Sequence, residues 1–115
     1  MKYGAKKDTN HKQVFDEIRK HTAAQDLSAF GNGVPDGAAW VVDGWQFFDV
    51  KNINTSYGRR GLNKLQKKWA SDWRGGPVYL IHDEVEAEKF AKGDFRGIKC
   101  HPEEKHPLYN QNHNN

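Results

Sequence analysis

At 115 residues with 36% hydrophobic side chains, including four Trp, four Tyr and six Phe, the chain can build one modest core, so a single domain is expected. Its mean hydropathy is −0.99, there is no apolar run of about 18 residues, and the opening MKYGAKKDTN carries no apolar stretch, which argues against a membrane span or secretory leader and sets a cytoplasmic expectation. The one cysteine, Cys100, excludes an internal disulfide and a multi-cysteine zinc site, and the net charge of +3 is unevenly spread.

In chain order, Asp8, Thr9 or Asn10 can cap a helix over residues 10–21, where Val14, Phe15 and Ile18 fall at helical spacing. On that helix Asn10, Gln13 and Glu17 form a polar edge beside the apolar stripe, able to reach a buried site. Residues 25–30 read as a short strand ending in Gly31-Asn32-Gly33, a loop suited to close backbone approach. Val34-Pro35-Asp36-Gly37 opens the next strand. Residues 38–42 and 45–50 are apolar, aromatic or β-branched around Asp43-Gly44, a type I′ hairpin signal that sets Val42 opposite Trp45.

Residues 52–61 read as a loop carrying Arg59-Arg60. A helix is expected over 62–73, with Leu62, Leu65, Trp69 and Trp73 as its buried stripe and Lys64, Lys67 and Lys68 on the other side. Gly75-Gly76-Pro77 ends it before a strand over 78–81, and a short helix follows over 84–91. From residue 94 onward periodicity is lost and the segment ends Asn/His-rich, so 94–115 is expected to be a polar flexible tail and 1–93 the domain. The fold class is α/β, in the order α-β-β-β-α-β, with a mixed central sheet flanked by helices.

The chemistry-bearing residues gather at the open end of the hairpin. Asp36 lies at the start of one strand and Asp49-Val50-Lys51 at the end of the other, and alternation puts Asp49 and Lys51 on one face with the Val50 carbonyl left for the strand edge. Two carboxylates beside a lysine make a hard-cation site with a built-in positive group, which suits phosphodiester cleavage. Gln66 falls inside the apolar stripe of its helix. A buried amide without a partner costs about 1–3 kcal/mol, so it should meet a polar group at the sheet, and Lys51 is the candidate. Lys51, Arg59, Arg60, Lys64, Lys67, Lys68 and Arg74 are opposed only by Asp72, a footprint for a polyanion.

Gly31-Asn32-Gly33-Val34-Pro35-Asp36, Phe48-Asp49-Val50-Lys51, and Leu62 with Gln66 and Trp69 together resemble the PD-(D/E)XK nuclease superfamily. Within it the chain looks most like the small stand-alone VRR-NUC-type nucleases of bacteriophages, related to Holliday junction resolvases. The resemblance covers most of residues 10–82 and implies a restriction-endonuclease-like core and a divalent-metal-dependent DNA endonuclease, selective for branched or junction DNA. It further implies Mg²⁺ or Mn²⁺ held by Asp36, Asp49 and the Val50 carbonyl, with Lys51 acting on the attacking water and the phosphate, and Gln66 orienting Lys51 or that water. Related members often place a metal-binding glutamate on the first helix; Gln13 stands there instead, with Glu17 one turn on as its substitute. DNA would contact Asn32, Tyr57, Arg59, Arg60, Lys64, Lys67 and Lys68. Symmetric junctions need two cuts, which suggests a homodimer, in the cytoplasm of a bacterial host if the chain is phage-encoded.

The plainer readings make Asp36 a turn residue after Pro35 and Asp49 and Lys51 an exposed strand pair. His11, His21, His82, His101, His106 and His113 have no metal-ligand spacing with one another or with Cys100, which also lacks a neighbouring base. Trp40, Trp45, Trp69 and Trp73 are assigned to packing. Two further classes stay open: a nuclease-fold protein that binds DNA without cutting it, given Gln13, and a small subunit of a phage nucleic-acid complex.

Overall fold

The computed structural model describes residues 8–110. Helix α1 (His11–Arg19) leads into β1 (Ala24–Asp26), β2 (Gly37–Val41) and β3 (Gly44–Val50). There follow α2 (Ser56–Arg59), α3 (Lys64–Asp72), β4 (Val78–Ile81), α4 (Glu84–Ala91), β5 (Lys99–His101) and a 3₁₀ turn (Glu103–Lys105). The five strands form one sheet in the order β1-β2-β3-β4-β5. β3 and β4 run parallel and the other neighbours antiparallel, so the protein is mixed α/β with helices on the sheet faces. No helix among the described residues is long and apolar enough to cross a membrane.

Side-chain alternation along β3 sorts the core into two layers. Phe48 and Val50 point to the face covered by α1 and α4, where Val14, Phe15, Ile18, Ala87 and Phe90 close over Tyr79 and Ile81. Phe47 points the other way, to a smaller layer with Leu62, Trp69, Ala70, Val78 and Leu80 beneath α3. Asp49 and Lys51 follow the parity of Phe47, so the sheet presents them on the α3 side.

The hairpin turn falls one residue earlier than its dipeptide suggests. Val41 pairs with Gly44 and Trp40 with Trp45, and the two turn residues are Val42 (φ 51) and Asp43 (φ 60). A left-handed β-branched residue is costly. Packing favours it nonetheless, because this register sets Gly37 opposite Phe48, and a Cβ on Gly37 would stand 2.6 Å from the Phe15 ring and 2.7 Å from the Phe48 ring. Residue 37 can only be glycine if both rings are to meet, which they do at 5.0 Å between centroids.

Other boundaries moved for similar reasons. β1 begins at Ala24 and ends at Asp26, because Asp26 Oδ1 accepts from the Ser28 N–H and Oγ and turns the chain away from the sheet. In the segment expected as loop, Thr55 caps the single turn of α2, its Oγ1 accepting from the Gly58 N–H at 2.9 Å. α3 presents Gln66 and Ala70 inward, while Leu65 and Trp73 are exposed, so the expected stripe is rotated. Trp40 and Trp45 are also exposed, edge to face with each other at the turn end of the hairpin, and contribute little to the core. The expected tail supplies β5, paired with β4, and Ile98 is buried against the main core; residues 111–115 lie outside the described residues.

Candidate active site

The hairpin register decides the site. With Gly37 opposite Phe48, Asp36 faces Asp49 one step further out, and both are buried, 8% and 1% exposed. The Asp36 N–H donates to Asp49 Oδ1 at 3.0 Å, and the Val50 N–H donates to Asp36 Oδ2 at 2.8 Å. Strand geometry turns the Val50 carbonyl to the same side as its N–H, toward the end of β2. Asp49 Oδ2 is fully buried and accepts no hydrogen bond. Burial, together with Asp49 beside it and a carboxyl-to-carboxylate hydrogen bond, pushes the Asp36 carboxyl well above the ordinary carboxylate range.

Lys51, 2% exposed, lies at the end of the same strand. Its Nζ is 3.7 Å from Asp49 Oδ2 and donates to Gln66 Oε1 at 3.1 Å. Gln66 is held in turn by the first turn of α3: its Oε1 also accepts from the Asn63 N–H and its own N–H donates to Asn63 Oδ1, both at 2.9 Å, a reciprocal capping box. The ring of Tyr57 covers the Lys51 ammonium at 5.5 Å from its centroid. From below, the Asn10 amide donates to the carbonyls of Lys51 (3.3 Å) and His82 (2.8 Å), pinning α1 to the ends of β3 and β4.

Not every expected residue reaches this cluster. Glu17 is turned away: Lys20 (3.0 Å) and His21 (3.0 Å) hold it on its own helix, and their hydrogen bonds keep its carboxyl below the usual range. Gln13 lines a separate polar cleft with Thr9, Asn10, Asn52 and His82. The acid that does feel the pair is Asp8, just before α1, which the sequence marks only as a possible cap. Its carboxyl is raised chiefly by burial and further by Asp36, while Lys51 and the Asn52 N–H oppose the rise. Its signal in the sequence is position: an acid at the end of the helix whose Asn10 touches Lys51. His11, stacked on Phe15, reaches Asp26 at 3.1 Å and lies close enough to favour ionised Asp36.

Among the expected DNA contacts, Lys64, Lys67, Arg59 and Arg60 are exposed, and Asn32 is exposed at φ 55 on the glycine loop. That loop rests on α3, because a Cβ on Gly33 would collide with the Leu65 carbonyl. Lys68 is tied to Asp72 at 2.7 Å, Arg59 donates to the Ile53 carbonyl at 2.9 Å, and the Arg60 guanidinium lies 5.9 Å from the Tyr57 centroid.

Two features fit a divalent cation at Asp36 and Asp49: a buried carboxylate oxygen with no hydrogen-bond partner, and a donor set made of hard oxygens. Among the described residues no three His, Cys, Asp or Glu side chains converge tightly enough to enclose a metal by themselves, so water or substrate oxygens would complete the shell. The fold and site together define a mixed α/β protein with a buried acid pair and lysine at one end of a hairpin. No family model, curated protein or solved structure matches the chain.

Proposed function

We propose that the protein is a divalent-metal-dependent DNA endonuclease with a restriction-endonuclease-like core of the PD-(D/E)XK kind, acting on branched or junction DNA. The observation that carries the reading is Asp49 Oδ2, a buried carboxylate oxygen that accepts no hydrogen bond and has the Lys51 ammonium only at 3.7 Å. Buried acids held this close repel each other and persist in proteins mainly where a cation or a shared proton relieves them. Asp36 and Asp49, with the Val50 carbonyl, would hold Mg²⁺ or Mn²⁺, whose chemistry is to polarise a phosphate oxygen and make water a better nucleophile. Lys51 contributes a fixed positive charge to the oxygens on which negative charge develops, and burial makes that charge count for more than it would in water. Gln66 keeps the ammonium aimed while α3 keeps Gln66 in place, and Lys64, Lys67 and Arg60 offer the cationic approach that a DNA backbone requires.

A second reading, a DNA-binding protein of the same fold that does not cut, is favoured by Glu17 and Gln13 lying away from the acid pair. One cleavage panel separates the two. Single-stranded, duplex, flap and four-way junction DNA are incubated with Mg²⁺, Mn²⁺ or EDTA. Cleavage with either metal, abolished by EDTA and by Asp49→Asn and Lys51→Met, is expected, with junction DNA cut fastest. No cutting of any substrate alongside retained DNA binding would leave the second reading standing.

A further inference from the structure

A cavity of about 390 Å³ opens between α2 and the first turn of α3, lined by Tyr57, Arg60, Gly61, Leu62, Asn63 and Lys67. It offers one aromatic face and two cations and has no acid in its wall. Tyr57 is 44% exposed. Among the described residues neither Arg60 nor Lys67 has a carboxylate within ion-pair distance; Arg60 donates to the Ser56 carbonyl at 3.3 Å and lies 5.9 Å from the Tyr57 centroid, so neither charge is neutralised by an acid. An aromatic plane beside two unneutralised cations matches a nucleotide, with its base against Tyr57 and its phosphate toward Arg60 and Lys67. The volume lies within the range of about 300–1,000 Å³ that holds small ligands.

Tyr57 joins this cavity to the acid pair, because the same ring that forms its wall covers Lys51. A nucleotide seated there is therefore a neighbour of any phosphate lying against Asp36, Asp49 and Lys51. Its base cannot lie against Tyr57 and remain stacked in a duplex. We infer that the cavity is a subsite for one unpaired nucleotide adjoining the phosphate that is cut, so the substrate class is DNA with an unpaired nucleotide at the cleavage position. The position of the cut rests on the endonuclease reading; occupancy of the cavity by a nucleotide does not.

The test titrates ¹⁵N-labelled protein in EDTA with thymidine 5′-monophosphate, and separately with thymidine and with inorganic phosphate, followed by amide chemical shifts. The monophosphate is expected to shift Tyr57, Gly61 and Asn63 and to bind at least tenfold more tightly than either fragment. Tyr57→Leu and Arg60→Gln, each checked for folding by circular dichroism, should each weaken it about tenfold. Inorganic phosphate binding as tightly as the nucleotide, shifts confined to another surface, or wild-type affinity in both folded variants would overturn the subsite. A second arm compares cleavage of a fully paired duplex with one carrying a single unpaired thymidine. Equal rates would remove the subsite and leave the endonuclease reading intact, whereas nucleotide binding with no DNA cut would keep the subsite and remove that reading.

Discussion

Replacing Asp36 with Asn should make the metal-free protein more stable near pH 8, although it removes a group from the centre of the site. The Asp36 carboxyl is raised from 3.8 to about 8, first by burial and then by Asp49. A folded-state pKa above the unfolded one means that the folded protein binds the extra proton between those two values. Stability from this group is therefore complete below about pH 4 and is lost as pH rises toward 8. At about 1.4 kcal/mol per pH unit the full displacement sets a ceiling near 6 kcal/mol. Relaxation of the site, at an effective dielectric constant nearer 20 than 4, lowers what an experiment should read to about 2 kcal/mol. The amide introduced by Asp36→Asn mimics the protonated acid: its carbonyl can accept from the Val50 N–H and its NH₂ can donate to Asp49.

Thermal unfolding of wild type and Asp36→Asn in EDTA, at pH 4, 6.5 and 8, reads the effect directly. Taking the difference between the two proteins cancels the groups they share, including Asp26, which burial alone would raise but which hydrogen bonds from Ser28 and His11 hold at about 2. The difference should be smallest at pH 4, and the variant should melt higher by roughly 8 °C at pH 8, as about 2 kcal/mol implies for a domain of this size. Saturating Mg²⁺ should then raise the wild-type midpoint and leave the variant's nearly unchanged, since only the wild type keeps both carboxylates. Parallel curves at all three pH values, or a variant less stable at pH 8, would refute the argument that the acid pair is strained without a cation.

Gly37→Ala should cost about 1–3 kcal/mol in chemical unfolding, because its methyl group must displace the Phe15 and Phe48 rings; a loss below about 0.5 kcal/mol would mean that the hairpin is free to adopt another register. The double variant Lys64→Ala, Lys67→Ala should lower the slope of log affinity against log salt for duplex DNA by about 2. An unchanged slope would remove α3 from the DNA path.

What could be read from the chain depended on how locally each feature is determined. Gln66 was legible because a polar residue on an apolar stripe must find a partner, and Lys51 at 3.1 Å is that partner. The glycine loop was legible too: Gly33 is at φ 86 and in contact with α3, where a side chain would not fit. The turn was not. Asp43-Gly44 is the better I′ dipeptide by local preference, but the fit of two phenylalanine rings over Gly37 outweighs it, and that fit involves Phe15, more than twenty residues away in the chain. The last strand was hidden for a related reason: β5 has little periodicity of its own and is held by its pairing to β4 and by burial of Ile98.

That shift in the turn also bears on the site. Pairing Val42 with Trp45 would have set Asp36 across from Lys51, whereas the observed register sets it across from Asp49. Moving the pairing by two residues preserves which face every side chain occupies, so the hydrophobic pattern cannot distinguish the two registers. It does change whether an acid meets a base or another acid. The first arrangement would be a self-satisfied ion pair. The second leaves Asp49 Oδ2 without a hydrogen bond, 3.7 Å from the Lys51 ammonium, and raises the Asp36 carboxyl. The packing of Phe15 and Phe48 over Gly37 thus holds a left-handed valine and two apposed buried acids in place, a local cost that ligand binding can offset. The helix-one position follows the same logic. Glu17 is satisfied by Lys20 and His21, while the half-buried Asp8 remains within the field of the acid pair. Acids raised by burial and by one another therefore mark this end of the hairpin more sharply than any single motif does.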